Sequence, residues 1–198
     1  ILMETLPLLA DMLSGSDLVT LRDKALLFLG FAGAFRRSEL VAVQIEDLTF
    51  TTQGMVVFIP QSKGDQLGAG SEIAIPYAPQ KEICAVRAVR NWMEAAGITS
   101  GPLFRGFKRN LQPRDTQLND KAVAEIVKKY MARLGLDPSD FAGHSLRRGF
   151  ATSAAQHDLN TLEIMRQTRH KSEKMVHRYI EQGNLFKENA LDKMFNKK

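Results

Sequence analysis

The sequence predicts a mainly α-helical domain carrying a small antiparallel β-sheet, an α+β fold. Apolar residues recur every three or four positions through most of the 198-residue chain, the spacing of one helix face. Two β-branched runs, TTQGMVVFIP and SEIAIP, flank the polar, glycine-rich SKGDQLGAGS as strands flank a hairpin loop. No internal repeat and no clear linker divides the chain, so residues 1–198 read as a single domain.

Residues 1–15 read as a linker or a first helix. Ser16 and Asp17 can cap a helix over LVTLRDKALLFLGFA, which Gly33 interrupts, and RRSELVAVQ follows as a second, shorter helix. After the two strands, Pro79 stands near the start of a helix that runs to about Ala96 and stops at Gly97, with Cys84 at a core position on it. GPLFRGFKRNLQPRDTQ reads as an irregular, basic connector. LNDKAVAEIVKKYMARLG is amphipathic and ends at Gly135, and short helices then cover SLRRGFATSAAQ, LNTLEIMRQT, SEKMVHRYIEQ and LFKENALDKMF. Leu159, Leu162, Met165 and Arg166 form a core stripe with a polar edge, and Met175, Val176 and Ile180 share the side of Tyr179.

Composition narrows the function. The 44% hydrophobic and 25% charged fractions are those of an ordinary globular protein. No apolar run approaches the roughly 20 residues that span a bilayer, and ILMETLPLLADML lacks the basic leader of a secretory signal. A lone cysteine forms no intramolecular disulfide and no cysteine-rich zinc site, which suits a reducing, cytoplasmic setting. The absence of an initiating Met suggests a fragment. A net charge of +5 favours a polyanionic partner.

The chemistry concentrates in AGHSLRRGFAT. His144 and Arg147 lie three apart at a helix start, where free N–H groups and the helix dipole favour an anion. Arginine offers phosphate a permanently charged planar fork, and histidine moves a proton near neutral pH. Upstream, GAFRRSEL sets two arginines at a helix start just after a glycine break. Downstream, RHKSEKMVHRYI places His170 nine residues before Tyr179. The histidines do not form an HExxH or HxH pairing and no acid completes a site, so metal catalysis is not expected.

GAFRRSEL, HSLRR, and His170 with Tyr179 resemble, in order and spacing, the catalytic motifs of the tyrosine recombinases, also called phage integrases. The resemblance covers residues 10 to 190, with SKGDQLGAGSEIAIP supplying the hairpin that carries a lysine in this family. It implies the tyrosine recombinase catalytic-domain fold, double-stranded DNA as partner and no cofactor. It further implies Arg36, Arg147 and His170 as groups holding the phosphate, His144 as base, Lys63 as acid, Tyr179 as nucleophile and Glu39 as a residue orienting Arg36. Arg37 falls at a variable position. Arg37, Arg148, Arg169, Lys171 and Arg178 read as phosphate contacts or solvated charges.

Two departures from the family pattern stand out: Arg148 replaces a frequent second histidine, and Arg169 replaces a frequent glycine that would ease a left-handed turn. The family's usual amino-terminal DNA-binding domain is missing, so DNA binding is expected to be weak and strongly salt-dependent. Residues 184–196 resemble segments that join protomers, implying a tetramer on paired DNA sites; a helix folded back onto its own domain is the alternative. The competing readings are a catalytically silent DNA-binding protein of the same fold, a type IB topoisomerase and a metal-dependent nuclease.

Overall fold

The computed structural model describes residues 1–60, 70–170, 172–184 and 194. Lys63, Lys171 and, apart from Met194, the expected helix over LFKENALDKMF lie outside them.

The chain opens with α1 (Thr5–Met12), whose Leu6, Leu9 and Ala10 are buried. Helix α2 (Leu18–Ala32) begins where the Asp17 carboxylate accepts from the Thr20 N–H at 3.0 Å, satisfying one of the free donors of a helix start. Residues Ala25 to Phe31 of α2 are buried without interruption, so the helix runs through the middle of the molecule, packed against α4 (Ala85–Ala96) and α6 (Ser145–Gln156). The short α3 (Arg37–Ala42) follows at a corner.

The two expected strands are β2 (Gly54–Ile59) and β3 (Ser71–Pro76). A shorter β1 (Leu48–Phe50), not foreseen, completes an antiparallel sheet in the order β1-β2-β3. The register pairs Met55 with Ile75 and Val57 with Ile73, putting buried residues opposite one another on the core face.

Two expectations fail here for identifiable reasons. Helix α4 starts at Ala85 rather than near Pro79, because Cys84 is extended and its buried thiol accepts the Ala78 N–H at 3.4 Å. The segment expected as an irregular connector folds into a hairpin, β4 (Arg105–Phe107) with β5 (Pro113–Gln117). Leu103 and Phe104 anchor it in the core, and the Trp92 indole N–H donates to the Leu103 carbonyl at 2.8 Å. Hydrophobic side chains hidden among basic letters decided the outcome.

Helix α5 (Asp120–Arg133) packs alongside and ends before Gly135, which has a φ of 78°. Beneath it lies Asp23, fully buried, which accepts hydrogen bonds from Arg22 and, at 3.0 Å, from the Tyr130 hydroxyl, while Lys129 approaches to 3.3 Å. Arg22 also caps the Arg105 carbonyl and lies over the Phe107 ring, joining the hairpin to α2.

The carboxy-terminal part comprises α6, α7 (Thr161–Thr168) and α8 (Glu173–Asn184), which enclose a second apolar cluster of Ala151, Ala154, Ala155, Ile164 and Val176. The expected α7 stripe is corrected: Ile164 and Thr168 face inward, while Leu162 is 61% exposed. Met175 is likewise exposed, and Val176 alone of its group is fully buried. Of the expected stripe Met165 does pack against this cluster, whereas Leu159 and Leu162 are exposed, because the covered face is set by where α6 and α8 lie.

Replacing Asp23 by alanine is expected to destabilise the domain by about 3–5 kcal/mol, because Arg22 and Lys129 lose the only carboxylate the described residues give them. Urea unfolding of wild type and Asp23→Ala measures it.

Candidate active site

The site is built where four chain segments meet: the corner between α2 and α3, the head of α6, the end of α7 and one face of α8. At the corner, Gly33 has an ordinary φ of −88°, so its role is space rather than backbone freedom; a Cβ there would stand 2.0 Å from the Phe35 ring. Ala34 takes the left-handed conformation instead, with φ 45°. The corner thereby turns its carbonyls toward the side chains arriving from α6 and α7.

Arg36 precedes the first turn of α3. The Glu39 carboxylate reaches back to accept from the Arg36 backbone N–H at 3.0 Å and pairs with the Arg36 guanidinium, the returning half of a capping box. Glu39 is buried and also takes a hydrogen bond from Arg169 Nη2 at 2.8 Å. Burial pushes the Glu39 carboxyl up, but the Arg36 N–H and the charges of Arg169 and Arg36 outweigh it and hold the pKa below its ordinary value.

Arg147 is buried in α6 and donates from Nη1 to the Ala34 carbonyl at 2.8 Å. Its Nη2 is buried and has no hydrogen-bond partner among the described residues. Burial, then the charges of Arg36 and Arg169, lower its pKa to about 10, while Glu39 and Tyr179 act in the opposite sense. Three guanidinium groups therefore surround one carboxylate, an excess of positive charge that suits an anion.

His170 closes the α7 end of the site. Its Nδ1 lies 2.7 Å from Thr168 Oγ1, and the Thr168 hydroxyl donates its one hydrogen to the Ile164 carbonyl at 2.6 Å. The Thr168 oxygen must then accept from His170 Nδ1–H, which assigns the tautomer and leaves Nε2 with a lone pair. Burial first, then Arg147, Arg36 and Arg169, lower the His170 pKa from 6.5 to about 4. The Tyr179 ring lies beside it, 5.9 Å between centroids at 32°, half-buried against the second apolar cluster.

His144 stands at the head of α6, exposed, one turn from Arg147, on a turn that Ser145 Oγ braces by accepting the Ala142 N–H at 2.9 Å. Among the expected site residues, then, the structure gathers Arg36, Glu39, Arg147, His170 and Tyr179. Lys63 and Lys171 lie outside the described residues.

The expected phosphate contacts differ in position. Arg148 is exposed and reaches the Asp140 carbonyl at 3.5 Å, and Arg178 is exposed on α8. Arg37 pairs with Asp120 at 3.1 Å, tying α3 to α5. Arg169 is turned inward, its side chain 11% exposed. Sequence reasoning missed Thr168 and the Ala34 carbonyl; a small polar residue two before the histidine was the available signal for the first, and the second is a backbone group with no signature in the letters.

A neutral His170 at pH 7 is expected in imidazole NMR, with ¹⁵N shifts of an Nδ1–H tautomer and a midpoint near 4. Because the folded pKa is depressed, the unfolded chain binds the proton more readily. This group's share of stability is full above about 6.5 and is lost as pH falls toward 4, as acid unfolding measures.

The profile described as the phage integrase family matches residues 4–184. An integrase/recombinase xerD homolog from Selenomonas ruminantium is 68% identical over 197 residues, all of this chain and 58% of that protein. Tyrosine recombinase XerA from Pyrococcus horikoshii is 32% identical over 132 residues, 67% of this chain and 40% of that one. Among solved structures, XerH site-specific recombinase bound to a palindromic difH substrate, a post-cleavage complex, superposes with a TM-score of 0.74 at 17% identity. The match covers 98% of this chain and 52% of that one. The chain spans about half the length of the relatives it matches. A profile match that runs from α1 through α8, across every element contributing to the arginine cluster, makes the chain a member of the phage integrase family.

Proposed function

We propose that this chain is the catalytic domain of a site-specific DNA recombinase that breaks and rejoins strands through a 3′-phosphotyrosyl intermediate. The observation that carries the reading is the buried excess of arginine charge, with an unpartnered Arg147 Nη2, beside the Tyr179 ring. A buried cation without a partner is costly, and a phosphodiester supplies the missing acceptor.

In the cleavage step Tyr179 Oη attacks phosphorus, the new P–O bond forms and the P–O5′ bond breaks. Tyrosine phenols in general are weakly acidic, so forming a phenolate near neutral pH costs roughly 4 kcal/mol unless a base or nearby cations help. His144 takes the phenolic proton, and Lys63 gives one to the departing 5′-oxygen. Arg36 and Arg147 hold the charge gathering on the non-bridging oxygens. His170, neutral in the free protein, becomes a donor from Nε2 only after taking up a proton, which the phosphate's charge favours. Rejoining reverses these transfers with the 5′-hydroxyl of a partner strand, so the covalent link conserves the bond energy and no nucleotide or metal is consumed.

The relatives' greater length supports a working enzyme in which this catalytic unit is joined to further structure; that residues 184–196 link protomers into a tetramer on paired sites rests on the resemblance of their sequence alone. Among the described residues no helix is long and apolar enough to cross a membrane.

A nicked duplex carrying a site that wild type selects from a random library is expected to trap a covalent adduct, Tyr179→Phe to form none, and Arg147→Ala to slow formation by about 10²–10³-fold. Cleavage should survive excess chelator; loss of cleavage, with no adduct formed, would point to a metal nuclease. Failure of wild type to form any adduct would leave a silent DNA-binding protein, and supercoil relaxation without strand exchange would favour a topoisomerase. Lys63→Ala should cleave slowly, and a 5′-bridging phosphorothiolate, whose leaving group needs no proton, should restore its rate.

A further inference from the structure

Arg169 occupies the C-cap of α7 in the left-handed region, φ 55° and ψ 38°, where glycine or asparagine is favoured and other residues are strained. A side chain kept at such a position must contribute something that glycine cannot.

Its hydrogen bonds show what that is. Nη1 donates to the carbonyls of Gly33 at 3.0 Å and Gln167 at 2.9 Å, and Nη2 donates to Glu39 Oε2 at 2.8 Å and the Ala34 carbonyl at 3.4 Å. The four hydrogens on the two terminal nitrogens thus meet four acceptors inside the protein. Nε is buried, and the guanidinium lies over the Phe35 ring at 5.3 Å. Of its five N–H groups only the buried Nε–H lacks a partner among the described residues, so a DNA contact through the terminal nitrogens would require breaking this set.

Two of those acceptors hold other arginines. Glu39 binds Arg36, and the Ala34 carbonyl binds Arg147. We propose that Arg169 is a positioning residue: it fixes the carboxylate and the carbonyl that orient Arg36 and Arg147, and so sets the spacing of the two guanidinium groups that grip the scissile phosphate. The assignment rests on the recombinase reading for its catalytic consequence, but the geometry can be tested without DNA. Lysine cannot replace it, because an ammonium carries charge without a planar fork to span both acceptors. Gln167, whose amide donates to the Ala32 carbonyl at 2.7 Å, is the neighbouring side-chain tie between α7 and the end of α2 and keeps the segments together when Arg169 changes.

The test uses the whole chain carrying Arg169→Gly, which suits the left-handed backbone, and Arg169→Lys. In Arg169→Gly the side-chain Nε–H NMR signals of Arg36 and Arg147 are expected to move and the His170 midpoint to rise, since a nearby positive charge has gone. Arg169→Lys should bring the midpoint back toward wild type without restoring the arginine signals. Adduct formation on the selected nicked site should fall about 10²-fold in both, the usual penalty for a misplaced catalytic group. For a short random-sequence duplex, the salt dependence of binding should keep the wild-type slope. A slope smaller by about 0.9 would instead make Arg169 a phosphate contact. Unmoved Arg36 and Arg147 signals, or cleavage at the wild-type rate, would overturn the assignment. If wild type itself never cleaves, the recombinase reading fails while the NMR and salt measurements still decide the role of Arg169.

Discussion

The Glu39 carboxylate is the constraint on which the site depends. It is buried, it closes the first turn of α3 by accepting the Arg36 N–H, and it receives guanidinium groups from opposite ends of the sequence, Arg36 and Arg169. A buried carboxylate is costly unless fully paired, and here the pairing is what draws the end of α7 onto the corner between α2 and α3. Once that corner is fixed, the Ala34 carbonyl stands where Arg147 of α6 can reach it. Three segments remote in sequence thus share one short stretch of backbone.

The same arrangement explains why the site is charged beyond what stability alone requires. One carboxylate cannot neutralise three guanidinium groups; burial and then the neighbouring arginine charges lower the Arg147 pKa, and among the described residues one of its nitrogens has no partner. Local instability of this kind concentrates at functional sites, because the missing interaction is the one a bound anion provides. His170 follows the same logic. Buried, and then surrounded by arginines, it stays neutral, and Thr168 fixes which nitrogen keeps the hydrogen.

The rest of the fold supplies a rigid frame. Central α2 carries Asp23 near its start, where Arg22, Lys129 and Tyr130 converge, and the Gly33–Ala34 corner just beyond its end. Burial and the Asp23 charge push the Tyr130 hydroxyl pKa up, so it stays a neutral donor to that carboxylate. Tyr179 has a different setting. It sits half-buried at the edge of the smaller apolar cluster on α8, which among the described residues packs chiefly against α6 and α7.

The sequence by itself determined the helices whose apolar spacing or caps are local, such as α2 between Asp17 and Gly33, and the pairing of β2 with β3. It also determined the residue types of the site, because GAFRRSEL, HSLRR and the His170 to Tyr179 spacing are short-range patterns. The β4–β5 hairpin was missed because its anchors, Leu103 and Phe104, are recognisable as core only once Trp92 is seen beside them. The α7 stripe was misread because which face of a short helix is buried depends on its neighbours, not on its own period. Only the tertiary structure decided what Arg169 does. Its letter announces a charge, and whether a charge faces phosphate or an internal carboxylate is settled by which distant groups, Glu39 and the carbonyls of Gly33 and Ala34, are brought within hydrogen-bond reach.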